Sequence, residues 1–132
     1  WMIYLMIHSV NKYMGFSKEN RIPQFWVGLD EFIGKRIVVY GAGQMGQDII
    51  WACNQMGQDI EAWVDRNFAL YQREGLVVKD IGILENRDFI NNIDVILIAV
   101  SSEETASFIK LKLLELGVPK QMIRWKKPIK VY

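Results

Sequence analysis

The sequence predicts an α/β fold: a parallel sheet with helices packed on both faces. Three observations carry that prediction. Arg36-Ile-Val-Val-Tyr40 is a strand-forming run that leads straight into Gly41-Ala-Gly-Gln-Met-Gly46, and a helical pattern follows. Asp94-Val-Ile-Leu-Ile-Ala-Val100 is apolar after its first residue, as a parallel strand covered on both faces must be. From residue 36 onward, strand-like and helix-like segments alternate, which favours parallel pairing through right-handed crossovers.

The elements follow in order. Residues 1–15 read as a helix with Trp1, Leu5 and His8 or Ser9 on one face, ended by Gly15. Residues 16–34 read as a connector with Pro23, Gly28 and Gly34, in which Ile22-Pro-Gln-Phe-Trp-Val27 is extended and anchored by its aromatics. A strand over 36–40 precedes a helix near 44–56, closed by Gly57. A second strand is Ile60-Glu-Ala-Trp-Val64, followed by a loop through 66–75 and a short third strand around 76–79. A helical piece lies near 84–92, and the strand over 94–100 comes next. Ser101 and Ser102 cap the following helix, with Glu104 completing a capping box on Ser101. That helix reaches Leu116 and stops at Gly117, with Pro119 beyond, and Met122-Ile-Arg-Trp125 is a last short strand. The expected architecture is a Rossmann-like three-layer α/β/α domain over 35–132. Its five-stranded parallel sheet has order 3-2-1-4-5, and 1–34 form an N-terminal helical extension and link.

The glycine run has the order of a dinucleotide-binding turn. Gly41 allows the tight exit from the strand. Gly43 lets a pyrophosphate approach the backbone, since no Cβ stands in the way. Gly46 brings the helix close to the strand. Ala42, Gln44 and Met45 complete a loop whose amides, at the positive end of a helix dipole, face an anion. Asp65 ends the second strand 24 residues after Gly41, near the offset of an acid that accepts from ribose hydroxyls. Arg66 is a candidate contact for a 2′-phosphate, or else a solvated charge. Ser101 sits where the fourth strand ends, at the crevice such sheets use for ligands, and is a candidate ribose or sugar contact beside its capping role.

Other chemistry is excluded. The loop lacks Gly-Lys-Ser/Thr, so it is not a triphosphatase P-loop. Tyr4, Tyr13, Tyr40 and Tyr71 have no Lys four residues on, so a Tyr–Lys proton-transfer pair is absent. His8, the one histidine, supports neither a triad nor a metal cluster. Cys53, the one cysteine, shares an apolar helix face with Met45 and Ile49 and reads as a core thiol.

Among 132 residues, 51% are hydrophobic and 23% charged, which suits one globular domain. A net charge of +1 gives no electrostatic case for nucleic acid. The single cysteine fits a reducing, cytoplasmic setting, and no run of 18 apolar residues predicts a membrane span. The apolar start, Trp1-Met-Ile-Tyr-Leu-Met-Ile7, lacks the basic flank and cleavage site of a signal peptide. The expectation is a piece of a longer protein, its N-terminal helix offering packing surface either to this domain or to an upstream one.

Ile37-Val-Val-Tyr-Gly-Ala-Gly43, Ala62-Trp-Val-Asp-Arg-Asn67, Ile96-Leu-Ile-Ala-Val100 and Ile123-Arg-Trp125 occur in that order. Together they resemble the Rossmann-like domain fused, often C-terminally, to bacterial glycosyltransferases and nucleotide-sugar enzymes. Related domains form the N-terminal part of sugar O- and N-acyltransferases. The resemblance implies nucleotide or nucleotide-sugar contacts for Gly41, Gly43, Gly46 and Asp65, in an accessory module that is not catalytic by itself. Gly75-Leu-Val-Val78 and Lys79-Asp-Ile-Gly82 depart from the Gly-x-Pro-Val and Pro-Glu-Glu-Leu pattern common in that group. Two alternatives stand beside this reading: a degenerate scaffold for domain packing or homo-oligomerisation, and an NAD(P)-binding half of an oxidoreductase.

Overall fold

A computed structural model describes residues 24–25 and 28–130, and among these two small sheets and four helices organise the fold. The strands are β1 (Gln24–Phe25), β2 (Ile37–Tyr40), β3 (Ile60–Val64), β4 (Val95–Ile98), β5 (Ile123–Arg124) and β6 (Ile129–Lys130). The helices are α1 (Gln44–Gln55), α2 (Phe68–Arg73), α3 (Arg87–Asn91) and α4 (Glu103–Glu115). Short 3-10 turns occupy Leu29–Phe32, Ile81–Glu85 and Lys120–Met122. The helix expected over 1–15 lies outside the described residues, as does most of the extended segment around Pro23.

The main sheet is parallel, four-stranded and Rossmann-like, with β3-β2-β4-β5 side by side. Val38 pairs with Ile96, and Val39 with Leu97, so alternate residues of β2 and β4 serve the same face. One face carries Ile37, Val39, Trp63, Val95 and Leu97 against α1. The other carries Val38, Val64, Ile96, Ile98 and Ile123 against α3 and α4. All four β4 residues are buried, which explains their unbroken apolar run.

The expectation of five strands is corrected. The segment 76–79 supplies only one parallel bridge, Lys79 to Val64, outside β3. The order is the expected one with its third strand reduced to that bridge. The other end of the segment bonds elsewhere, the Leu76 amide donating to the Tyr71 carbonyl at 3.1 Å. Gln72 Nε2 donates to the Val78 carbonyl at 2.7 Å. Asp80 accepts from the Gly82 amide and starts the turn over Ile81–Glu85. Val78 fills the core at 1% exposure, while Val77 stands 80% exposed.

Four local expectations also change. The loop over 66–75 contains α2. The helical piece near 84–92 divides into the Ile81–Glu85 turn and α3, with Asn86 capping α3 by accepting from the Phe89 amide. Ser102, not Ser101, caps α4, its Oγ accepting from the Thr105 amide at 3.3 Å. The strand expected over 94–100 is paired only over Val95–Ile98: its partner β2 ends at Tyr40, and the Val100 carbonyl beyond accepts from Trp125 Nε1 at 2.7 Å.

A second sheet has no counterpart in the sequence reading: β1 pairs antiparallel with β6, Gln24 opposite Lys130. The same end of the molecule is pinned by Glu31, whose carboxylate meets Arg124 at 3.0 Å and Lys126 at 3.7 Å. The Arg124 guanidinium lies over the buried Phe32 ring. No described helix is long and apolar enough to cross a membrane.

Candidate functional site

The carboxyl ends of β2, β3 and β4 meet at one edge of the sheet, and the candidate site is built there. β2 ends at Tyr40 and the chain turns at Gly41, whose φ of +124° is one that L side chains rarely adopt. A Cβ at Gly41 would lie 2.7 Å from the Ala99 carbonyl oxygen, so β2 and β4 approach too closely here for any side chain. Gly46, one turn into α1, faces the Gly41 carbonyl so closely that a Cβ would collide with it. Gly43 differs from both. Its backbone is extended, and a Cβ there would meet nothing within 4 Å. The space in front of Gly43 is open.

Gly43 also caps α1 without a side-chain hydrogen bond. The first-turn amides of a helix have no acceptor inside it, and the macrodipole makes that end positive. The end of α1 opens on a crevice of about 280 Å³ lined by Gly41, Gly43, Gln44, Met45, Asp65, Tyr71, Ala99, Val100 and Ser101. Six of the residues singled out in the sequence come together there. Ala42 and Gly46 are buried behind it and shape the loop. Arg66 lines a neighbouring crevice of about 200 Å³ with Tyr40, Asp65, Asn67, Thr105, Phe108 and Lys112. Gly41, Asp65 and Val100 belong to both, so the two are continuous.

Hydrogen bonds fix the loop. The Gly41 amide donates to the Val64 carbonyl at 2.8 Å. The Gly41 carbonyl accepts from the indole Nε1 of Trp63 at 2.7 Å. The Ala42 amide donates to Asp65 Oδ2 at 2.8 Å, and the Ala42 carbonyl accepts from Gln47 Nε2 at 3.0 Å. The other Asp65 oxygen accepts from the Asn67 amide at 2.7 Å. Asp65 is therefore aimed at the glycine loop, with one backbone donor on each oxygen. A carboxylate has about four lone-pair sites, so it keeps acceptor capacity towards the crevice.

Two tyrosines in these crevices had no site role in the sequence reading. Burial raises the Tyr40 hydroxyl above its ordinary range and nearby Asp65 adds to the rise, while Arg66 opposes it. Burial, then Asp65 and Glu74, raise Tyr71 likewise. Tyr40 carried a signal, since it immediately precedes Gly41. Tyr71, Phe108 and Lys112 arrive by tertiary packing, and only the position of α4 brings the last two across from Arg66. Lys112 lies over the Phe108 ring, 5.4 Å from its centroid. Cys53 is fully buried in α1, against the sheet and away from both crevices. His8 is outside the described residues. Among the described residues, no three His, Cys, Asp or Glu side chains gather to hold a metal ion.

No protein-family model matches the chain, and no curated protein matches it. A solved structure titled Granulicella M. formate dehydrogenase is similar over 87% of this chain and 31% of that one. Identity is 15% and the TM-score 0.39. The chain thus spans about a third of that enzyme's length, and a likeness this remote bears on neither ligand nor reaction.

Proposed function

We propose that this domain binds a nucleotide at the carboxyl edge of its sheet, with a pyrophosphate at Gly43 and the start of α1. Asp65 then accepts from the ribose diol through its remaining lone pairs, and Ser101 lies across the crevice from it. The observation that carries this reading is the open space in front of Gly43, in a loop whose other two glycines are tightly packed. A glycine required only for packing would have atoms around it. A glycine that leaves room for an anion would not. Dinucleotides and nucleotide-sugars both carry the needed pyrophosphate and ribose. The sequence resemblance favours the nucleotide-sugar and a role as accessory module of a larger bacterial glycosyltransferase or sugar-modifying enzyme.

A second reading, the scaffold, is favoured by one observation: both Asp65 oxygens already hold backbone amides. Calorimetry with UDP-sugars, CDP-linked compounds and NAD(H) separates the two. The binding reading expects at least one binder in wild type, and its loss in a still-folded Gly43→Val variant. Silence across the panel at millimolar ligand sinks it in favour of the scaffold.

A further inference from the structure

Three side-chain hydrogen bonds on the glycine loop fall on two successive peptide units. The Gly41 carbonyl and the Ala42 amide belong to one unit; the Ala42 carbonyl and the Gly43 amide belong to the next. Trp63 and Asp65, two residues apart on the same side of the β3 chain, hold opposite ends of the first unit at 2.7 and 2.8 Å. Gln47, from α1, holds the carbonyl end of the second at 3.0 Å. The described peptide bonds are all trans, so the N–H of each unit points opposite to its C=O. Fixing the Ala42 carbonyl towards Gln47 therefore sends the Gly43 amide the other way.

We infer that Trp63 and Gln47 are positioning residues that, with Asp65, clamp these two peptide planes and so set the direction of the Gly43 amide. The need for a clamp follows from the residues themselves. Gly41 is free of the Cβ restrictions that hold other residues to one basin, so a loop built on it can rotate its peptide planes unless something holds them. A rotated plane would present a carbonyl where an anion expects a donor. The Trp63 indole is 9% exposed, and a buried N–H without its acceptor is costly, so the bond is held in both directions. This inference rests on the reading of the loop as an anion site.

The test uses the full chain, amide NMR and two probes, inorganic pyrophosphate and NAD+. Trp63→Phe keeps an aromatic ring but removes the indole donor, and Gln47→Leu keeps the size but removes the amide. Without ligand, Trp63→Phe should speed hydrogen exchange at Ala42 by about tenfold or more while β2 and β4 keep their protection. Gln47→Leu should shift and broaden the Gly43 amide signal. Each variant should bind both probes about tenfold more weakly. Unchanged Ala42 and Gly43 signals in both variants would overturn the inference. So would changed signals with unaltered affinity. If Trp63→Phe loosens every core amide, it has lost global stability, and Gln47→Leu decides alone. If the signals change as expected but wild type binds neither probe, the clamp stands and the anion-site reading falls.

Discussion

Gly41, Gly43 and Gly46 answer to three different demands within six residues, and substitution separates them. Gly41→Ala puts a side chain at a positive φ and 2.7 Å from a backbone oxygen, at an expected cost of about 1–3 kcal/mol. Gly46→Ala should cost at least as much, since its methyl meets the Gly41 carbonyl. Gly43→Ala should change stability by less than about 1 kcal/mol, because its φ of −73° suits alanine and its surroundings are open. Urea unfolding of the three variants checks the ranking, and a Gly43→Ala as damaging as Gly41→Ala would refute it. Burial pushes the Cys53 thiol up to about 12 from an ordinary 9.0. The folded thiol stays neutral where the unfolded one ionises, so its contribution is full below about pH 9 and is lost as pH rises towards 12. Wild type should therefore lose more stability than Cys53→Ala over that window, and native protein should resist maleimide. Asp65 bears on ligand choice. Its charge opposes a 2′-phosphate while Arg66, the next residue, attracts one, so NAD should be preferred over NADP by about tenfold. Asp65→Asn should remove most of that ratio; an unchanged ratio would mean that Asp65 touches no ribose.

At the scale of elements, the sheet edge beyond β3 gives the sharpest contrast. Val77 and Val78 are adjacent, yet one is 80% exposed and the other 1%. Val77→Lys should stay within about 0.5 kcal/mol of wild type, and Val78→Ala should cost about 2 kcal/mol. Equal effects in thermal melts would mean that the segment is not fixed by its single bridge. This segment also marks the limit of what the sequence discloses. Gly75-Leu-Val-Val78 has strand composition, but only Lys79 exchanges backbone bonds with β3, and the Leu76 amide is held by the Tyr71 carbonyl instead. Strands β2, β3 and β4 were legible because their burial is dictated by their own residues, and β3 matches its expected bounds. α2 was not legible: in six residues only Phe68 and Tyr71 pack against the core, too short a stretch to declare a helical period. Which serine caps α4 depends on where β4 ends, and that is set by pairing with β2, which stops at Tyr40, some 58 residues earlier in the chain. The β1–β6 pair joins residues more than a hundred positions apart, and two-residue strands leave no local pattern. In the site, the glycine loop, Asp65 and Ser101 were readable from spacing, whereas Tyr71, Phe108 and Lys112 are placed only by helix packing.

At the scale of the whole molecule, the proposed ligand edge belongs to the main parallel sheet, and that links binding to stability. The proposed ligand touches the loop after β2, the acid after β3 and the serine after β4. Opening any of these strands destroys the site, so the ligand binds only the folded chain. The stabilisation then follows mass action. At a hundredfold excess over Kd it is about 2.7 kcal/mol. For a domain near a hundred residues, where 1 kcal/mol moves Tm by roughly 4–8 °C, that is a rise of about 10 °C or more. Scanning calorimetry with the best binder from the nucleotide panel should show the rise growing with the logarithm of ligand concentration. Gly43→Val should melt like wild type without ligand, because nothing surrounds that position, and should show no rise with it. A rise that survives in Gly43→Val would move the ligand off the glycine loop, to the Arg66–Lys112 crevice or elsewhere. A variant already unstable without ligand would instead show that Gly43 serves packing, and the distinction among the three glycines would collapse.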